Sequence, residues 1–417
     1  MNENSIRIGI IGGGAAGLFM ACQLKRLSGG RNIDITILEK SSIPGRKLTL
    51  TGHGRCNITN RKDASELRKG YHEADNFIYP ALKEFGPEDT IRFFENGLGL
   101  KTKEEDNNRI FPVCDSAVTV RDTILSYISD SAKTISDARV LDISREDSFE
   151  VTTAEDKYRF DYLVLSCGGN SFQKTGSAGD SYRLAEKLGH TIVPIRPALV
   201  PVNAGKDSAK ITSVLSGVSV SAKVTLYYSG KAAAVRSGEI LFADFGLTGP
   251  AVMAISREIP CDITGMDACL ELDLIPDMND EQFDQELQKL IRDHADTKIT
   301  TLLSRFMPQS VAGEIAANAG VSGLYAQGFA KEKRKDLIKQ SKHLRITLAG
   351  TPVMDRAYVT RGGVSLKEMD RKTMQSKKVP GLYILGEALD IDGISGGYNL
   401  QACMSEAYLA AKSILGL

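Results

Sequence analysis

Residues 6–39 read IRIGIIGGGAAGLFMACQLKRLSGGRNIDITILE, and the order of residue types within them decides the architecture. Ile6–Ile11 is an apolar run of strand length. Gly12-Gly13-Gly14 interrupts it, an apolar helical stretch follows from about Ala15 to Leu27, and Ile33–Leu38 is a second strand. A strand, a helix and a parallel strand over so short a distance make a βαβ unit. Gly12, Gly14 and Gly17 satisfy G-x-G-x-x-G where that spacing has a mechanism, after a strand and opening a helix. Gly12 permits the tight turn, Gly14 lets a pyrophosphate approach the backbone, and Gly17 allows close packing of helix on strand. The helix start at Ala15 and Ala16 offers free N–H groups and a partial positive charge to phosphates. Glu39 ends the second strand 22 residues after Gly17. A carboxylate there accepts both ribose hydroxyls of an adenosine and repels a 2′-phosphate. A ligand-free glycine turn is the alternative, but strand, helix and acid together favour a dinucleotide. The motif does not choose between NAD and FAD.

The chain has 417 residues, enough for two or three domains, with 42% hydrophobic and 25% charged residues typical of a globular protein. Lys+Arg and Asp+Glu both total 52, so no global field favours nucleic acid or an anionic membrane. The seven cysteines show no C-x-x-C pair, which argues against a disulfide framework or zinc ribbon and fits a reducing cytoplasm. No run approaches the roughly 18 apolar residues that span a bilayer. A soluble, cytoplasmic protein without a metal is the expectation.

Further along, Phe160–Ser166 reads as a buried strand ending in Cys167-Gly168-Gly169, and Gly381–Leu385 as another, followed by glycines and a helix over Leu400–Leu415. The middle has a different texture. Val218–Leu226 alternates apolar and polar residues, as do Leu270, Leu272, Leu274 and then Leu344, Ile346, Leu348, which predicts one antiparallel sheet or barrel. Between them, Asn279 or Asp280 can cap a helix with Phe283, Leu287, Leu290 and Ile291 on one face. The predicted organisation is a doubly wound, parallel α/β domain from residues 1–195 and 350–417. Into it is inserted a β domain (196–278 and 341–349), which carries a helical subdomain (279–340).

Two further clusters are unusually polar and glycine-rich. Arg46-Lys47 and Thr51-Gly52-His53-Gly54-Arg55-Cys56-Asn57-Ile58-Thr59-Asn60 follow the βαβ unit. Gly386-Glu387, Asp390, Asp392-Gly393 and Gly396-Gly397-Tyr398-Asn399-Leu400-Gln401 lie between a buried strand and a helix. Solvated loops are the alternative for both, yet loops on rigid scaffolds carry function, and the second cluster makes another helix start suited to negative charge. The blocks GGGAAG, GRKLTLTGHGRCNITN and GEALDIDGISGGYNLQ resemble the flavoprotein family containing aminoacetone oxidase and the bile-acid-inducible flavin reductases of intestinal clostridia. The resemblance runs over the whole chain and implies a noncovalent FAD in a Rossmann-like domain. It places Glu39 and Lys40 at the adenosine, Val140 at the adenine side, and Arg46, Lys47, Gly52, Asn57 and Thr59 along the cofactor. Cys167, Gly168, Gly169, Gly386, Glu387, Asp392, Gly393, Gly397, Asn399 and Leu400 complete the set, the last of these toward the ribityl chain and ring.

No second G-x-G-x-x-G marks a dedicated nicotinamide domain, so NADH or NADPH would dock transiently, or electrons would pass to oxygen. Two enzyme readings follow: reduction of a conjugated C=C in a 3-oxo bile acid or steroid enone, and oxidation of a small aminoketone such as aminoacetone. A flavin-containing binding or RNA-associated protein is the third, against which the neutral charge and the lack of a basic stripe argue. Tyr398 is the first candidate proton donor, with Arg55 and His53 able to polarise a carbonyl; a packed, structural Tyr398 is the alternative. Cys56 lacks a partner cysteine nearby in sequence, which speaks against redox work.

Overall fold

The computed structural model describes residues 5–260, 262–263, 265–350, 354 and 357–417. The chain divides into two compact units, Met1–Pro197 with Tyr358–Leu417, and Ala198–Ala357. The sequence reading set these boundaries at 195/196 and 349/350.

The first unit is built on a five-stranded parallel sheet in the order Leu382–Ile384, Tyr162–Leu165, Ile6–Ile11, Ile33–Leu38, Ala132–Ile135. Parallel strands are covered on both faces and therefore read as continuous apolar runs; Ile8, Ile10, Val164, Leu165 and Ile37 are all fully buried. The helix Ala15–Leu27 buries every residue from Ala16 to Leu24 and packs against the last helix, Tyr398–Ile414. The strand expected from Phe160 begins instead at Tyr162, and Phe160 belongs to a separate three-stranded antiparallel sheet (Asp142–Arg145, Phe149–Thr152, Lys157–Phe160). Asp161 makes the break. Its carboxylate accepts from the Arg7 backbone at 2.8 Å and from the Arg7 guanidinium at 2.6 Å. Gly9 makes room for the Phe160 ring, since a Cβ there would lie 2.4 Å from it. Another small sheet, Thr59–Asn60, Arg109–Pro112, Thr102–Glu105, carries the end of the GRCNITN block.

The second unit holds a closed barrel in the order Val202–Ala204, Gly246–Thr248, Lys231–Ala243, Ser219–Tyr228, Ala268–Asp273, Leu344–Gly350. The alternating positions face inward as their period requires: Val220, Ala222, Val224 and Leu226 are buried, and Val224 pairs with Leu272 and Leu226 with Leu270. The helix Asp280–Asp293 starts with a reciprocal cap, Asn279 Oδ1 accepting from Gln282 N at 2.8 Å and Gln282 Oε1 accepting from Asn279 N at 2.9 Å. Its Phe283, Leu287 and Leu290 join the barrel residues in one apolar core. The helical segment is thus stabilised against the barrel within a single core.

Lys342 is a charge buried in this unit. It is 2% exposed, and its ammonium donates to both oxygens of Asp273 at 2.8 and 2.9 Å and to the Ile275 carbonyl at 2.8 Å. Lys342→Met is expected to lower the unfolding free energy of this unit by about 3 kcal/mol, since the carboxylate and carbonyls lose their donor. Urea denaturation checks this, and a change below ~1 kcal/mol would show that water replaces the ammonium.

Candidate functional site

Each strand of the parallel sheet ends at the same edge, so the segments after residues 11, 38, 135, 165 and 384 converge there. This carboxyl edge is where open parallel sheets bind ligands.

Gly12 adopts φ +101°, and a Cβ on it would lie 2.6 Å from the Ser166 carbonyl. A Cβ on Gly17 would lie 2.0 Å from the Gly12 carbonyl. Gly14 differs: the only atom near its ideal Cβ is Ser166 O at 3.9 Å, so the space in front of it is open. It caps the helix without a side-chain hydrogen bond, and the first turn contains no acid. Free N–H groups facing open space fit a pyrophosphate. Glu39 does more than end its strand. Its Oε2 accepts from Gly13 N and its Oε1 from Ser41 N, both at 2.7 Å, so the carboxylate also shapes the glycine loop.

The other residues expected at this end of the cofactor are held in place by neighbours. Lys40 pairs with Asp180, which also accepts from Arg139 at 2.8 Å. Burial would raise the Asp180 carboxyl, but these two cations hold it below its ordinary value. The Val140 carbonyl accepts from Arg183 at 3.0 Å. Cys167 Sγ lies 3.3 Å from the Ile11 carbonyl, and burial pushes its thiol up to about 12. Gly168 takes φ +75°, and a Cβ on Gly169 would strike Thr360 Oγ1 at 2.5 Å.

At the centre, Lys47 donates to Glu387 Oε2 and to Ser171 Oγ, both at 2.6 Å. Glu387 Oε1 accepts from Ser171 Oγ at 2.6 Å and from Thr360 N at 2.7 Å. Burial alone would raise the Glu387 carboxyl, yet Lys47 and the hydroxyls hold it below its ordinary value. Arg46 is exposed beside this cluster.

The blocks GRCNITN and GGYNLQ are stitched together. The Asn57 amide, oriented as its neighbours require, donates to the Ile110 and Thr59 carbonyls and accepts from Gly397 N at 3.2 Å. Thr59 Oγ1 donates to Gln401 Oε1 at 2.6 Å, and a Cβ on Gly397 would lie 2.4 Å from the Thr59 carbonyl carbon. Asn399 closes the loop on Gly393 through bonds of 2.8 and 2.9 Å, and Leu400 and Asp392 are buried behind it. Gln401, which also accepts from Thr90 at 2.9 Å, was read as part of the second cluster but not as a cofactor-binding residue; its place at the end of that block was the signal.

The three candidate catalytic residues occupy different settings. Tyr398 is 3% exposed, its ring 5.7 Å from that of Tyr71 and tight against Gly70, and its carbonyl accepts from the Tyr71 hydroxyl at 2.8 Å. Arg55 is bound to Glu105 at 2.8 and 3.2 Å and lies 4.2 Å over the Phe111 ring. His53 is exposed, in a left-handed turn between Gly52 and Gly54 with φ of +57°, +57° and +83° for the three residues. Burial pushes the Cys56 thiol up to about 12, away from thiolate chemistry. Among the described residues no helix is long and apolar enough to cross a membrane.

Comparison with known proteins places this arrangement. The family described as HI0933-like protein Rossmann domain matches residues 6–413. The 3-dehydro-bile acid delta(4,6)-reductase of Clostridium scindens is 32% identical over 98% of both chains. The ribosomal RNA dihydrouridine synthase of Haemophilus influenzae is 30% identical over 97% of both. Among solved structures, the 3-ketosteroid delta1-dehydrogenase of Sterolibacterium denitrificans aligns with TM-score 0.52 and 13% identity, covering 99% of this chain and 100% of its own. That likeness is one of fold.

Behind the edge, Gly386 N donates to Glu406 Oε2 at 2.5 Å, while Glu406 Oε1 is fully buried with no hydrogen-bond partner among the described residues. Burial raises this carboxyl to about 8, against the smaller lowering effect of the Gly386 N–H. The folded chain therefore keeps a proton that the unfolded chain releases above about pH 4.5. Stability is full below that pH and falls by about 1.4 kcal/mol per pH unit until the folded carboxyl ionises near 8. Glu406→Gln is expected to flatten this fall, read as a smaller loss of Tm between pH 5 and pH 8 than in the parent protein. Parallel Tm profiles would place the ionisation elsewhere.

Proposed function

The chain belongs to the HI0933-like Rossmann-domain family, and on that footing we propose that it is an FAD-dependent reductase of a C=C bond conjugated to a carbonyl, acting on a 3-oxo bile acid or similar steroid enone with NADH or NADPH as transient donor. The observation that carries this reading is the whole-length similarity to the bile-acid reductase, at 32% identity. When bound, FAD supplies the hydride chemistry of the reaction.

The chain's own residues bind, orient and protonate. The open N–H groups after Gly14 take the pyrophosphate, and Glu39, already fixed by two backbone donors, accepts from the ribose. Glu387, whose charge Lys47 favours, would accept from polyol hydroxyls, and the helix start at Asn399 and Leu400 would favour negative charge on a bound flavin. Tyr398, the first candidate proton donor, is buried, whereas His53, expected to polarise a carbonyl, is exposed; on this reading His53 takes over delivery of the proton to the α-carbon. Arg55, committed to Glu105, and Tyr398, packed on Tyr71, hold the loops that present it.

A second reading is favoured by the Haemophilus relative, since forming dihydrouridine also saturates a C=C bond conjugated to a carbonyl. Whole-chain neutrality hides one feature in its support: Lys331, Lys335 and Lys339 form an exposed row at four-residue spacing on the helix Lys331–Lys342. Such a row suits phosphate contacts.

The purified protein is expected to be yellow and to release FAD on heating. Glu39→Ala should weaken FAD binding by about tenfold or more, as charge-assisted hydrogen bonds to the ribose are lost; unchanged occupancy after dialysis would misplace the adenosine. Under anaerobic conditions NADH or NADPH should bleach the flavin, and a 3-oxo bile acid with a ring double bond conjugated to the ketone should restore its colour. His53→Gln should slow the second step by about 100-fold or more and spare the first. Reoxidation by oxygen alone, with bleaching by aminoacetone, would move the protein to an oxidase; reoxidation by a uridine-containing ribosomal RNA fragment but not by the enone would select the second reading.

A further inference from the structure

Phe172 is a bulky residue in the left-handed region, with φ +52° and ψ +51°. Only glycine and, less often, asparagine or aspartate adopt this conformation without strain, so a phenylalanine there is an outlier that its surroundings must enforce. The enforcement is visible. The Phe172 carbonyl accepts from the Thr175 backbone at 2.8 Å and from the Thr175 hydroxyl at 2.7 Å, and Gly179 N donates to Gly169 O at 3.0 Å, closing the loop. The strain aims the ring at Tyr358, with centroids 5.1 Å apart and planes at 88°. Packing does not account for this, because Tyr358 stays 45% exposed and Phe172 is only partly covered.

The position of the pair is more telling than the contact. Ser171, next to Phe172, bridges Lys47 and Glu387 through its hydroxyl. Thr360, two residues beyond Tyr358, donates its N–H to the same carboxylate at 2.7 Å. The two partly exposed rings therefore adjoin the residues of the ionic centre, Phe172 in the segment after the strand Tyr162–Leu165 and Tyr358 immediately before the strand Val359–Val364. Edge-to-face aromatics with a free face accept a further planar ring, and the adjoining charges and hydroxyls suit a carbonyl or carboxamide on it.

We propose that Phe172 and Tyr358 form a stacking subsite for a planar heteroaromatic ring bearing a carbonyl, occupied by the nicotinamide of the electron donor. The subsite rests on the proposed use of NADH or NADPH. It supplies what the missing second glycine motif does not, a place where a transient donor is held by its ring instead of by a dedicated domain. A uracil base shares the ring chemistry and is the other source to be distinguished.

The chain contains no tryptophan, so Tyr358→Trp introduces a single reporter. In the FAD-loaded variant, nicotinamide mononucleotide is expected to quench its emission saturably, while ribose 5-phosphate leaves it unchanged. Quenching by uridine monophosphate and not by nicotinamide mononucleotide would overturn the donor assignment in favour of the base. No quenching by either ring, or equal quenching by ribose 5-phosphate, would overturn the subsite. Phe172→Gly, measured by calorimetric binding of nicotinamide mononucleotide, separates function from packing. It relieves the left-handed strain, so Tm is expected to hold or rise while the ring binds about tenfold more weakly. A fall in Tm, or unchanged binding, assigns the pair to packing and overturns the proposal. If NADH and NADPH fail to bleach the parent enzyme, the donor reading itself falls; bleaching without quenching removes the subsite alone.

Discussion

The ion pair between Lys47 and Glu387 joins residues 340 positions apart and sets the shape of the functional edge. Two partly buried charges are costly to take from water, and the pair is stabilised because its remaining hydrogen-bond positions are met. Ser171 and Thr360 meet them, each from a different segment. The first βαβ unit, the strand Tyr162–Leu165, the strand Val359–Val364 and the last strand are therefore held at one point. The central residues of the sheet itself are fully buried and apolar, and its charged pair, Arg7 with Asp161, lies toward the opposite end of the strands. The fold supplies rigid strands that end together, and the polar chemistry gathers where they end.

Around this point two glycine-rich segments become one structure. Asn57 and Thr59 bond to Gly397 and Gln401 across more than three hundred residues of chain, and the closeness of backbone to backbone explains why glycine stands at 397. The same logic explains the left-handed run at Gly52–Gly54 and the open face of Gly14. Backbone donors brought into the open without side chains in the way are what a dinucleotide requires. The barrel unit keeps its own apolar core and its own enclosed charge, Lys342 with Asp273, which makes it a separately stabilised part of the chain.

Comparing expectation with structure shows where local reasoning stops. The strands Ile6–Ile11 and Ile33–Leu38 and the helix Ala15–Leu27 have the limits read from pattern, because each is delimited by residues that act locally, glycine above all. The cap at Asn279 was legible for the same reason. The strand of residues 160–166 was misjudged at its start, since Asp161 leaves the strand to bind Arg7, a partner 154 residues away. The four-residue strands between Asp142 and Phe160 are too short to show a period, and Lys231–Ala243 exposes most of both faces along its first half, so alternation says little there.

Sequence by itself determined the fold class, the glycine loop after the first strand, the acid that ends the second strand and the polar blocks that gather at the carboxyl edge. All of these depend on neighbours in the chain: a period, a turn, a helix start. Tertiary structure alone decided the environment of each side chain. It committed Lys40 to Asp180, packed Tyr398 against Tyr71, tied Arg55 to Glu105, enclosed Glu406 and set Phe172 against Tyr358. Burial and pairing are properties of residues brought together from distant parts of the chain, and their energies depend on distance and solvent, which no local pattern records.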